Sequence, residues 1–151
     1  MIIRQMRPED VKAVAEIERE CFSMPWSEKA YSDTLQNADA LYLVAETDKE
    51  AVSRIMGMCG MLKLVDEGDI SNVAVHPDYR GRHVAKAMMT ELLRRGCEMG
   101  IVSYTLEVRA GNEAAISLYR GLGFQVEGVR KRFYEKPVED ALIMWKRKED
   151  N

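Results

Sequence analysis

The chain has 151 residues, 46% hydrophobic and 31% charged, which predicts one globular domain over residues 1–151 and argues against a disordered chain. The formal net charge of −3 at pH 7 disfavours a nucleic-acid-binding module, which carries basic residues interleaved with aromatic ones. Three cysteines without a C-x-x-C pair, and only two histidines, argue against a zinc site or a disulfide framework, so no metal is expected.

Hydropathy predicts a cytoplasmic protein. The N-terminal residues Met1 to Arg4 do not open an apolar stretch of the kind that a signal peptide contains. No run of 18 apolar residues occurs along the sequence. We therefore expect neither export nor a membrane partner, whereas the oligomeric state is left open.

Helix and strand patterns alternate along the chain. The predicted elements are a strand over 2–6, helices over 8–21 and 27–37, strands over 41–46, 55–65 and 68–75, a helix over 84–99, a strand over 101–108, a helix over 112–122, and an antiparallel pair over 124–134 and 141–146. A helix between two strands implies a parallel crossover, whereas short turns imply antiparallel neighbours. The fold class is therefore α/β in the broad sense that includes α+β, with a mixed sheet.

A basic turn lies between the strand over 68–75 and the helix over 84–99. Its central residues are Arg80, Gly81, Arg82 and His83. Backbone N–H groups at a helix N-terminus bind phosphate oxygens, and the two arginines add positive charge near a diphosphate. The turn is not a nucleotide-hydrolase P-loop, because no Lys-Ser/Thr pair follows the glycine. An ordinary exposed turn with solvated arginines is the alternative interpretation.

A second group of polar residues follows the strand over 101–108. Glu107 lies at the C-terminal end of this strand, which is predicted to be central, and binding clefts of open α/β sheets lie at such ends. Asn112 is a good cap for the next helix, on which Ala115, Ile116 and Tyr119 share one face.

Together the two segments resemble the GNAT acetyltransferase superfamily. The matching patterns are R-G-x-x-V-A after the V-A-V-H-P strand, and N-x-x-A-I-x-L-Y-x-x-x-G-F downstream. Residues 24–29, 66–67, 106–109 and 130–134 are similar to the RimI branch, whose members acetylate the N-terminal alanine of a small-subunit ribosomal protein. The resemblance implies a twisted, mostly antiparallel mixed sheet of six or seven strands flanked by four helices.

The resemblance also implies where acetyl-CoA binds and how the acetyl group is transferred. The co-substrate would lie in a gap between the fourth and fifth strands, against the main chain of Val73, Ala74 and Val75. The turn from Arg80 to Ala85, which includes Gly81, Arg82, His83 and Val84, would receive the diphosphate, and Asn112 would reach the cofactor from its helix cap. Glu107 would be the general base, and Tyr119 would donate a proton to the leaving thiolate.

One position departs from the family pattern. His83 occupies a site where the family usually has a small residue, with Ala85 at the second such site. If the backbone at residue 83 has a positive φ, histidine costs about 1 kcal/mol more than glycine there. Weaker binding of CoA is one expectation, and an additional donor towards phosphate from the imidazole is the alternative. Activity is expected to persist in either case, because the binding groups are mostly backbone.

The acceptor site is predicted from two aromatic residues and an acidic patch. Trp26 either lines the peptide site or plugs the junction of the first two helices, and Tyr134 either contacts the peptide or lies on the surface. Asp66 and Glu67, together with Asp69, form an acidic patch in the turn before the fourth strand. We expect this patch to steer the N-terminal peptide of a basic, ribosomal protein towards the cleft.

Two alternative functions are open at this point. A GNAT domain can instead acetylate a small amine such as a polyamine, an amino acid or an aminoglycoside. It can also be a non-catalytic CoA-sensing domain, although such a domain does not need both Glu107 and Tyr119.

Overall fold

The computed structural model describes residues 1–148 as a seven-stranded sheet with helices on both faces. The strands are β1 (Ile2–Gln5), β2 (Ala40–Glu46), β3 (Ile55–Leu64), β4 (Glu67–Val75), β5 (Ser103–Arg109), β6 (Gln125–Tyr134) and β7 (Glu139–Arg147). The helices are α1 (Val11–Cys21), α2 (Glu28–Leu35), α3 (Val84–Glu98) and α4 (Glu113–Gly121). Short 3-10 turns, Pro8–Asp10 and Pro77–Tyr79, precede α1 and the basic turn.

The sheet order is β1-β2-β3-β4-β5-β7-β6. Adjacent strands are antiparallel except for β4 and β5, which are parallel because α3 connects them. The mixed, mostly antiparallel sheet and its four helices confirm the predicted fold.

Two hydrophobic cores lie on opposite faces of the sheet. The larger lies under α3 and α4 and contains Met88, Met89, Leu92 and Phe124. The smaller lies under α1 and α2 and contains Val14, Ile17 and Tyr31. Because α1 and α2 contact β2, β3 and β4, they leave this face of β5, β7 and β6 open.

Many element boundaries differ from the predictions by one to three residues, and two of the differences lie close to the predicted site. The strand predicted to begin at residue 101 begins at Ser103, because the N–H groups of Ile101 and Val102 bond to Gly96 and Asp66 rather than to a strand. The predicted turn over 66–69 is also shorter. Asp66 lies in the turn, but Glu67 already pairs with Leu64 as the first residue of β4.

Candidate active site

The parallel strands β4 and β5 separate along their length. Their register runs from Glu67 opposite Ser103 to Ile70 opposite Leu106, and no pairing continues beyond it. The separation coincides with a register shift on the other side of β4, where Met61 pairs with Ile70 but Gly60 pairs with Asn72. One extra residue in a strand bends it and disrupts its ladder. The result is the predicted gap between the fourth and fifth strands.

The N-terminus of α3 borders this gap and has free N–H groups. The first helical hydrogen bond recorded here runs from Ala87 N to His83 O, which leaves the N–H groups of Val84, Ala85 and Lys86 without helical acceptors. No side chain caps this end, and its first turn contains no acidic residue. By contrast, Asn112 caps α4 through Ala115 N at 3.2 Å. The start of α3 therefore fits an anionic group such as a diphosphate.

The turn before α3 is shaped by two residues with positive φ. Gly81 has φ +77°, and nothing lies within 4 Å of the position that a Cβ would take. His83 has φ 61° and ψ 22°, the left-handed conformation that the sequence analysis identified as costly for histidine. The Val84 side chain is buried in the larger core, so this residue can offer a ligand only its backbone.

The two arginines of the turn are held by neighbouring groups. Arg80 donates from Nε to Val75 O at 3.2 Å and from a terminal nitrogen to Cys21 Sγ at 3.2 Å. The Arg82 guanidinium lies 5.5 Å from the centre of the Tyr79 ring. Arg80 is thus bound to the end of β4, so its role at a diphosphate stays a prediction.

Glu107 faces the open side of the sheet beside the gap. Its neighbours Leu106 and Val108 point into the core under α3, so Glu107 points to the opposite face. Its side chain is 29% exposed, and Oε1 lies 3.4 Å from Arg130 Nε of β6. The carboxylate is therefore accessible to a solute entering this face, and a displaceable surface ion pair holds it.

Tyr134 lies within electrostatic reach of this carboxylate, whereas Tyr119 packs on the other face of the sheet. Tyr134 has a raised pKa, first because it is partly buried and then because of the negative charge of Glu107. Tyr119 is buried beside Phe124 at 6.0 Å between ring centres. Burial raises its pKa above the ordinary value, with smaller contributions from Cys59 and Tyr134. Tyr119 is therefore protonated at neutral pH and can donate a proton.

Trp26 packs on the smaller core. Its ring centre lies 5.3 Å from that of Tyr31 and 6.4 Å from that of Tyr42. Its backbone N–H donates to Glu18 Oε2 at 3.2 Å. These contacts support the interpretation in which Trp26 plugs the junction of α1 and α2, and its contact with a peptide stays a prediction.

The acidic patch is spread along the open face. Glu67 and Asp69 pair with Ser103 and Thr105, which lie four and two residues before Glu107 on β5. The side chains of both acids therefore point to the same face of the sheet as Glu107. Burial raises the pKa of Asp69, while the charge of Arg130 opposes the rise. Asp66 lies beyond them in the turn. The acidic side chains of the patch thus form a row along the sheet that ends near Glu107, and they do not surround Glu107.

A buried polar network behind the gap was not found from the sequence. The Glu18 carboxylate, 1% exposed, accepts hydrogen bonds from Tyr31 Oη at 2.5 Å and Asn72 Nδ2 at 2.8 Å. Tyr42 Oη then bonds to Asn72 Oδ1 at 2.9 Å and lies 2.8 Å from Ser71 Oγ. The only available signal was Glu18 on the apolar stripe of α1, which the sequence alone does not pair with a residue of β4.

Within residues 1–148, neither a metal site nor a membrane span was detected. No group of three or more His, Cys, Asp or Glu side chains is arranged to hold an ion in this part of the chain. None of the helices described is long and apolar enough to cross a membrane.

Comparison with known proteins identifies the family. The model of the Acetyltransferase (GNAT) family matches residues 11–124. The chain is 38% identical to the putative ribosomal protein bS18-alanine N-acetyltransferase of Bacillus subtilis, covering 95% of this chain and 93% of that one. It is 31% identical to the ribosomal protein bS18-alanine N-acetyltransferase of Escherichia coli K12, covering 94% of each.

The fold agrees with this similarity. The crystal structure of the ribosomal-protein-S18-alanine N-acetyltransferase from Escherichia coli superposes with a TM-score of 0.88 at 29% identity, covering 99% of this chain and 96% of that one. GNAT members transfer acetyl groups from acetyl-CoA, which confirms the predicted enzyme class. The chain belongs to the GNAT family of acetyltransferases.

Proposed function

We propose that this chain acetylates the N-terminal alanine of a small-subunit ribosomal protein of the bS18 type, in the cytoplasm. The observation that carries the proposal is the similarity to two proteins named for that reaction, over more than nine-tenths of each chain. The partly exposed Glu107 carboxylate, on the face of β5 that α1 and α2 leave uncovered, supports it because a peptide amine can reach a group in that position.

The residues present fit acetyl-CoA as co-substrate. The edge of β4 from Val73 to Val75 is unpaired towards β5, and the N-terminus of α3 offers free N–H groups for the diphosphate. Asn112 would face the cofactor from the start of α4. Bound there, acetyl-CoA supplies the acetyl group as a thioester and the thiolate that departs.

Glu107 is proposed as the general base. The α-amine of a peptide is largely protonated at neutral pH, so a proton must be removed before the nitrogen can attack. The Glu107 carboxylate is accessible on the acceptor face and accepts that proton, directly or through water. An incoming ammonium group also replaces the positive charge of Arg130 next to the carboxylate.

Tyr119 is proposed as the general acid. Its buried hydroxyl keeps its proton at neutral pH because burial raises its pKa. It lies on α4 and packs in the core on the side of the sheet opposite to the acceptor face. We infer that it gives its proton to the departing sulfur, while Glu107 takes the proton of the amine.

The acceptor experiment compares three substrates by mass spectrometry. A peptide that begins with alanine and continues with basic residues should gain one acetyl group at its α-amine. The same peptide with a blocked N-terminus and an internal lysine should gain none, and spermidine tests the small-amine alternative. Faster acetylation of spermidine than of the peptide would contradict the proposed acceptor while leaving the acetyltransferase activity in place.

The acidic patch gives a second test of the acceptor. Replacing Asp66 and Glu67 with Asn and Gln should lower kcat/KM for the basic peptide, and the loss should shrink as ionic strength rises, because solvent-exposed charges are screened. An alanine peptide without basic residues serves as the matched control and should respond little. Equal losses on both peptides would show that the acids hold the β3–β4 turn instead of steering the acceptor.

A further inference from the structure

Arg109 lies close to the predicted base and bonds to several separate segments of the chain. It is the last residue of β5, two residues after Glu107, so both side chains point to the same face. Its side chain is 27% exposed and pairs with Glu139 Oε1 at 3.2 Å. No role was predicted for it from the sequence.

The guanidinium binds the turn of the β6–β7 hairpin. It donates to Glu135 O at 2.9 Å and to Pro137 O at 3.0 Å, two carbonyl groups that point inwards from the turn. It also lies 4.5 Å from the centre of the Tyr134 ring, within the range of a cation–π contact. Its ion-pair partner Glu139 accepts a hydrogen bond from Gly111 N at 2.6 Å, which ties the hairpin to the start of α4.

The same guanidinium reaches the connection between α1 and α2. It donates to Ser23 Oγ at 3.4 Å, and this hydroxyl bonds in turn to Glu135 O at 3.5 Å. Phe22 and Met24, on either side of this serine, are 40% and 57% exposed. Apart from these bonds and the packing of Trp26 on the smaller core, the two segments are polar turns and exposed apolar side chains with little burial to order them.

We propose that Arg109 is a positioning residue that clasps the α1–α2 connection and the β6–β7 hairpin over the end of the acceptor groove. One planar guanidinium with several donors holds both segments in a fixed place before the acceptor arrives. The acceptor then does not have to order them, so it binds with less loss of entropy. The inference rests on the proposed function only in requiring an acceptor long enough to touch both segments.

The clasp acts on one substrate and not on the other. The predicted diphosphate site lies at the N-terminus of α3, and the hydrogen-bond partners of Arg109 are Ser23, Glu135, Pro137 and Glu139, which lie on other segments. Loss of the guanidinium should therefore raise the KM of the peptide and leave the KM of acetyl-CoA unchanged. The loss of a set of charge-assisted hydrogen bonds of this kind should weaken peptide binding about tenfold or more.

The test uses Arg109→Met, with Arg94→Met as the matched control. Arg94 is also an arginine whose guanidinium pairs with carboxylates, those of Glu91 and Glu98, but it lies on α3, which packs on the face of the sheet opposite to Glu107. Arg109→Met should raise peptide KM about tenfold or more and speed amide hydrogen exchange over residues 22–27 and 134–139. Arg94→Met should change neither.

The outcomes separate the clasp from the proposed acceptor. An unchanged peptide KM, or equal rises in the KM of both substrates, would overturn the clasp. If the wild-type enzyme does not acetylate the alanine peptide, the proposed acceptor fails, and hydrogen exchange still decides whether Arg109 orders the two segments. If Arg109→Met does not fold, Arg109→Lys replaces it. Full retention of peptide KM by that variant would show that the multiple donors are not needed.

Discussion

Replacing His83 with glycine isolates the effect of one strained backbone position. The residue has φ 61° and ψ 22°, and it immediately precedes α3. Its side chain is exposed and makes no capping hydrogen bond with the helix. The substitution therefore removes a Cβ from an unfavourable conformation without removing buried contacts.

The expected gain follows from two opposing effects. A left-handed conformation costs a residue with a Cβ about 1–2 kcal/mol. Glycine also gives the unfolded chain more conformational freedom, which lowers the stability of the folded protein by about 0.4–1 kcal/mol and offsets part of the gain. The net stabilisation should be about 0.5–1 kcal/mol, which for a chain of this size corresponds to a rise in Tm of roughly 1–4 °C.

Urea and thermal unfolding of three proteins measure the effect. His83→Ala is the control, because it removes the imidazole but keeps the Cβ in the same conformation. We expect His83→Gly to be more stable than both the wild type and His83→Ala. Equal stability of the glycine and alanine variants would refute the strain argument, because the backbone would then impose no cost on a Cβ at this position.

The same variants test whether the imidazole has a role in cofactor binding. Strain that is present in both free and bound protein changes stability but not affinity, whereas strain that increases on binding weakens affinity. We expect His83→Gly to keep its turnover and to bind CoA at least as tightly as the wild type, measured by calorimetry. A marked loss of affinity in both variants would instead show that the imidazole contacts phosphate.

Two further predictions concern catalysis and acid stability. Glu107→Gln and Tyr119→Phe should each lower kcat by about 10²–10⁴-fold and change the KM of acetyl-CoA less, and near wild-type turnover in both would move these roles to other groups. Asp10 is buried, which opposes ionisation, but its bonds to Arg4 and to Arg7 N lower its pKa below 3.8. The stability that the ionised Asp10 carboxylate contributes is present above its unfolded pKa and is lost as pH falls through its lower folded pKa. Asp10→Asn should therefore lower the free energy of unfolding, measured in urea, by about 2 kcal/mol at pH 7 and by progressively less in acid.

The fold was predictable because most elements carry local signals. Gly100 and Gly123 have positive φ just after α3 and α4, where glycine commonly ends a helix, and they agree with the predicted helix ends near residues 99 and 122. The start of β5 was predicted two residues early, because Ile101 and Val102 are as apolar as a strand residue. Their N–H groups are used by the end of α3 and by the β3–β4 turn, contacts that a local pattern does not contain.

The site was predictable only in part. The basic turn and Glu107 could be picked out because a helix N-terminus and a strand end are local features that the sequence pattern indicates. Arg109 does not, since its partners lie 26 to 30 residues ahead in the hairpin and 86 residues back at Ser23. Long-range contacts of this kind depend on the order of strands in the sheet, which the residue types alone do not specify.

The gap itself depends on such contacts between distant residues. At Gly60 a Cβ would lie 2.1 Å from the Tyr42 ring, so glycine is needed for that ring to cross β3. Tyr42 can then bond to Ser71 and Asn72 at the irregular part of β4.

The shift in β4 also changes which core its side chains enter. Ile70 packs in the core under α3, whereas Ala74 packs in the core under α1, and Asn72 bonds to the buried Glu18 of α1. A regular strand would place residues 70, 72 and 74 on one face. After the extra residue the two faces are exchanged, so Asn72 and Ala74 face α1 while Val73 and Val75 pack against the core under α3. The pairing of β4 with β5 ends at Ile70, where this exchange begins, and the predicted cofactor site starts beyond that point.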